Sequence, residues 1–136
     1  MTKFAQYGAS VVIIHASMVA LHGLSHGVLP VSLSLFQGLF VGIVIVLAPL
    51  FAAILLWTRF SRMGAAILLG SMMGALAFGL YNHFIFIGPD HVSQVPSTGW
   101  GILFQTTAVL LAVTEGLGVG VGIWGLRNTS QQAIIQ

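Results

Sequence analysis

Four stretches of this chain, each about 20 residues or longer, hold a single Asp, Glu, Lys or Arg among them, and that scarcity restricts the fold more than any motif does. They run from about Gly8 to Leu29, Gln37 to Trp57, Gly64 to Ile87 and Trp100 to Leu126, and the one exception is Glu115. At 1.5 Å rise per residue, a helix of about 20 residues crosses the roughly 30 Å hydrocarbon layer of a bilayer. A helix also satisfies its own backbone N–H and C=O groups, as lipid demands. No stretch alternates apolar and polar residues, which excludes a membrane β-barrel. The expectation is an all-α integral membrane protein: one four-helix bundle spanning residues 1–136, with a frayed polar tail over residues 127–136.

Composition supports this. Charged residues make up 4% of the chain and apolar residues 57%, whereas a soluble domain carries about 25% charged residues. The first stretch is too long for the apolar region of a signal peptide, contains three histidines and ends at Pro30, so it reads as a retained helix. Residues 31–36 form a short connection or re-entrant turn, and Pro49 interrupts the second stretch. Four basic residues against two acids are too sparse for a nucleic-acid surface. The chain has no cysteine, so disulfides, thiolate zinc sites, iron–sulfur clusters and thiol nucleophiles are excluded.

The cations instead report topology. Lys3 precedes the first span, Arg59 and Arg62 lie between the second and third, and Arg127 follows the fourth. Four spans put all of them on one side, which the positive-inside rule makes cytoplasmic, with both termini inside. The opposite loops, near Ser32–Ser34 and Gly88–Gly99, contain no Lys or Arg. Trp57, Trp100 and Trp124 fall near span ends, where interfacial aromatics belong. Gly38/Gly42, Gly70/Gly74, Gly116/Gly120 and Gly118/Gly122 each have the four-residue spacing that lets helices approach closely in lipid.

The polar residues inside the spans mark where function would lie. His15, His22 and His26 fall within about 40° of one another on the first helix, and polar groups in lipid face the protein interior. Counting from the outer boundary, His26 lies about 4–5 Å deep, His22 about 10 Å, His83 about 6 Å and Gln105 about 8–9 Å. They meet at one level, with Asp90 and His91 of the connecting loop as a possible cap. Deeper, Glu115 at about 22–24 Å and His15 at about 21 Å share a second level. A buried carboxylate must be paired or protonated, so His15 is its leading partner, ahead of Thr114 and Ser71.

Three readings of the outer cluster follow. His22, His26 and His83 suit a transition metal, with imidazole fitting zinc, iron or, beside methionine, copper. One histidine on each of two helices also suits haem b, with His22, His83 and Gln105 around it, and a single histidine suits a pigment. The third reading is a hydrogen-bonded packing contact without a ligand. His15 and Glu115 suit a proton relay or a stabilising pair. There is no P-loop, no HExxH and no nucleophile elbow. The expected function is therefore metal or haem binding for redox or metal handling. The alternatives are an accessory subunit of a larger membrane assembly and a small oligomeric transporter.

Overall fold

The computed structural model describes residues 3–134, with side chains described through residue 128. Among these residues there is no strand, and four helices are long and apolar enough to cross a membrane. They are α1 (Lys3–Val28), α2 (Leu35–Leu55), α3 (Ser61–Ile85) and α4 (Trp100–Ile134). A single 3₁₀ turn, Val92–Gln94, lies in the connection from α3 to α4.

The helix ends depart from the expected boundaries for local reasons. The N-terminus of α2 is set by a capping box. Ser34 Oγ accepts the Gln37 backbone N–H at 3.2 Å, and the Gln37 side chain accepts the Ser34 N–H at 2.8 Å. Its C-terminus is set by Thr58, whose hydroxyl donates to the Leu55 carbonyl at 2.9 Å and accepts from the Phe60 N–H at 3.0 Å. The chain thereby turns tightly into α3. Among the described residues, α1 is helical from Lys3 and α4 through Ile134. The expected tail is thus helical through residue 134, because lipid thickness limits the apolar part of a helix and not its hydrogen-bonded length. Residues 135 and 136 lie outside the described residues.

Two segments widen to π-helical geometry. The first, Val41–Leu47, precedes Pro49. Proline has no N–H and crowds the carbonyl one turn back, and the Ala48 N–H reaches past that turn to the Ile43 carbonyl. The second, Tyr81–Ile85, ends α3 with the Phe86 N–H on the Tyr81 carbonyl at 2.7 Å. It turns two successive residues, Asn82 and His83, into the interior.

α4 packs along both α1 and α3, while α2 lies mainly against α3. Two backbones come close at Gly122, where an added Cβ would sit 2.9 Å from Leu69 backbone atoms. Gly118 similarly abuts Met72, whereas Gly38, Gly42, Gly116 and Gly120 face open space. Phe4, Val12, Leu56, Ala65, Leu68 and Met72 are part of a packed apolar cluster. It sits at the end of the bundle where Phe4 meets Trp124, so Lys3, Arg59, Arg62 and Arg127 gather there.

Elsewhere the usual distribution is inverted. Leu35, Phe36, Ile13, Ile54 and Ile87 are exposed, while His15, His22, His83, Asp90, Thr107 and Glu115 are buried. Such an apolar exterior around a polar interior suits a lipid surround.

Candidate functional site

At the end opposite the apolar cluster, three imidazoles from two helices touch. The ring centroid of His22 lies 4.9 Å from that of His26 and 4.8 Å from that of His83. His26 and His83 are 6.4 Å apart. All three pack around Phe104 of α4, whose ring lies 4.5 Å from His22, 5.1 Å from His26 and 5.4 Å from His83. Phe104, with no exposed surface, forms the floor of the cluster.

Each ring is held by the same nitrogen. His26 Nδ1 lies 3.3 Å from the Val31 carbonyl and His83 Nδ1 lies 2.9 Å from the Asp90 carbonyl. A carbonyl only accepts, so both Nδ1 atoms carry the proton. His22 Nδ1 lies 2.8 Å from Thr107 Oγ1. The Thr107 hydroxyl lies 2.7 Å from the Leu103 carbonyl and 3.1 Å from that of Phe104, and donates there. His22 Nδ1 is therefore a donor too. In the neutral rings all three Nε2 atoms keep their lone pairs, the arrangement found where histidines ligate a metal.

Asp90 completes the group. Its Oδ1 lies 3.3 Å from His26 Nε2 and 3.4 Å from His83 Nδ1, an ion pair only where the imidazole is protonated. Neither approach has hydrogen-bond geometry. Both Asp90 carboxylate oxygens and His22 Nε2 are buried without a hydrogen-bond partner, a costly state for polar atoms. Among the described residues, no group of three or more His, Cys, Asp or Glu side chains is placed to hold a metal ion.

The histidines and Asp90 line a cavity of about 200 Å³ to which all four helices contribute. Glu115 lines it as well. Glu115 Oε1 lies 3.3 Å from His15 Nε2, and both side chains are almost fully buried. The other two partners considered for Glu115 bond within their own helices: Ser71 donates to the Leu68 carbonyl at 3.2 Å and Thr114 to that of Leu110 at 2.9 Å.

Two expected members lie elsewhere. Gln105 donates to the carbonyls of Val92 at 3.0 Å and Val95 at 3.2 Å, tying down the loop that carries Asp90. His91 turns away and accepts the Ser93 N–H at 3.2 Å, capping the 3₁₀ turn. Asp90 therefore caps the cluster without His91. Phe104 and Thr107 were not singled out from the sequence. For Phe104 the signal was present, because Phe104, Ala108 and Glu115 share one face of α4 within about 40°, while Gln105 and Thr107 lie about 80° from Glu115 on either side. Comparison with known protein families, with curated proteins and with solved structures finds no match for this chain.

Proposed function

We propose that this chain is an integral membrane protein, with both termini on the cytoplasmic side, that holds a divalent transition-metal ion near its outer face. His22, His26 and His83 would bind through Nε2 and Asp90 through its carboxylate. One observation carries this reading: the three unpartnered buried atoms, His22 Nε2 and the two Asp90 oxygens, belong to residues lining one cavity. A bound cation would satisfy all of them at once.

The donor set narrows the ion. Three imidazoles with one carboxylate suit zinc or ferrous iron, and no methionine lines the cavity to favour cuprous copper. An ion is also favoured over haem b. The His22 and His83 rings are in contact, which leaves no slot for a macrocycle between them. The cavity of about 200 Å³ is also smaller than the roughly 300–1,000 Å³ of sites that take large ligands.

The test is elemental analysis of the detergent-purified protein together with an absorption spectrum. About one equivalent of zinc or iron, lost in both His22→Ala and Asp90→Asn, is the expected result. A folded, colourless, metal-free protein that takes up no added metal would overturn it and favour an accessory subunit. A Soret band lost in His83→Ala would assign haem in its place.

A further inference from the structure

A second cavity, of about 210 Å³, lies between α1 and α2. It shares Val19 and Ile45 with the histidine cavity, and His15 is its one polar lining residue. Its lining also includes Leu50, 41% exposed, and the exposed Ala20. The cavity is therefore a cleft that opens on the outward apolar surface, with a histidine 1% exposed at its inner end. His15 Nε2 lies 3.3 Å from Glu115 Oε1, so Nδ1 is the ring nitrogen that this pairing leaves over.

We propose that this cleft takes the ring of a lipid-soluble quinone or quinol, with a ring oxygen hydrogen-bonded to His15 Nδ1. Whatever enters from lipid must itself be membrane-soluble. An acyl chain would match the apolar walls but offer the imidazole no hydrogen-bond partner. The volume suits one six-membered ring, with an isoprenoid tail left in the lipid. The His15–Glu115 pair also matches both redox forms of such a ring. When Glu115 accepts from Nε2–H, Nδ1 presents a lone pair and accepts from a quinol hydroxyl. When a protonated Glu115 donates to Nε2, Nδ1 carries the proton and donates to a quinone carbonyl. A backing carboxyl group thus lets one imidazole act as donor or acceptor. The site does not depend on the metal reading, because none of the proposed metal ligands lines the cleft.

The test uses the full chain in detergent and a decyl-substituted benzoquinone as probe. Saturable binding at one equivalent is expected, seen as a rise in thermal unfolding temperature and as a lowered infrared carbonyl frequency. Leu50→Trp narrows the mouth without touching His15 or Glu115, and should weaken binding at least tenfold. His15→Phe should abolish the carbonyl shift. Binding that persists in His22→Ala after chelator treatment supports the cleft even if the metal reading fails. Unchanged affinity in Leu50→Trp overturns the proposal, as does equal displacement by a phospholipid or an alkane.

Discussion

Each imidazole of the outer cluster has one nitrogen committed to the protein, and that division of labour determines which substitutions should matter. Thr107 fixes His22 through a bond of 2.8 Å. Removing the hydroxyl in Thr107→Val leaves the ring free to turn or change tautomer. Metal affinity should fall about 10–100-fold, as for other outer-shell partners, while Thr107→Ser should recover most of it. Competition with a chromophoric chelator would measure both. Glu115 answers to stability more than to metal. Glu115→Gln keeps a hydrogen-bonding partner for His15, whereas Glu115→Ala leaves the ring unpaired. Pairwise hydrogen bonds in membrane proteins average about 0.6 kcal/mol and reach about 1.7 kcal/mol. The alanine variant should be the less stable of the two by an amount in that range, measured by unfolding in mixed micelles. The pairing of His15 with Glu115 was legible in the sequence, because rise per residue gives depth and two polar groups at one depth in lipid must meet. Thr107 was not, because depth and angle do not say which neighbouring atom lies within hydrogen-bonding reach.

Helices show the same limit. The four long apolar helices were readable from their length and composition, yet the spacing of small residues overcounted the close crossings. Gly116/Gly120 and Gly118/Gly122 look equivalent as sequence, but only the second pair meets α3. The difference is which side of α4 faces a neighbour, and on a nearly uniformly apolar helix the sequence carries little sign of that side. Gly122→Ala should therefore cost about 1–3 kcal/mol through overpacking, since its new methyl meets Leu69 backbone and not a flexible side-chain end. Gly120→Ala should lie within about 0.5 kcal/mol of the parent. Thermal or denaturant unfolding of the two variants side by side would distinguish them. The π-helical end of α3 was also hidden, because Gly88 and Pro89 announce where the helix stops and not that its last turn widens. Gln105 is turned from the site for a related reason. Gln105 was placed at the site by depth, but the returning chain brings the Val92 and Val95 carbonyls to its amide. Gln105→Leu should accordingly raise amide hydrogen exchange across residues 88–99 and leave the exchange of α1 unchanged.

For the whole molecule, the placement of charge and the placement of chemistry agree. Lys3, Arg59, Arg62 and Arg127 collect at the end closed by the apolar cluster around Leu68 and Met72. The histidines and Asp90 lie at the other end, beside loops without Lys or Arg. If the basic end faces the cytoplasm, as the positive-inside rule requires, the histidine cavity faces outward and the packed cluster closes the bundle beneath it. The orientation is directly measurable, because the native chain has no cysteine and a single introduced thiol has no background. Ser97 lies in the exposed loop before α4 and Ser61 at the start of α3. In intact cells a membrane-impermeant maleimide should label Ser97→Cys and leave Ser61→Cys untouched until the membrane is broken. Reversed labelling would place the histidines on the cytoplasmic side and remove the case for an ion taken from outside. Labelling of both positions in intact cells would mean that the chain does not span the membrane four times, and the assignment of its apolar exterior to lipid would fail with it.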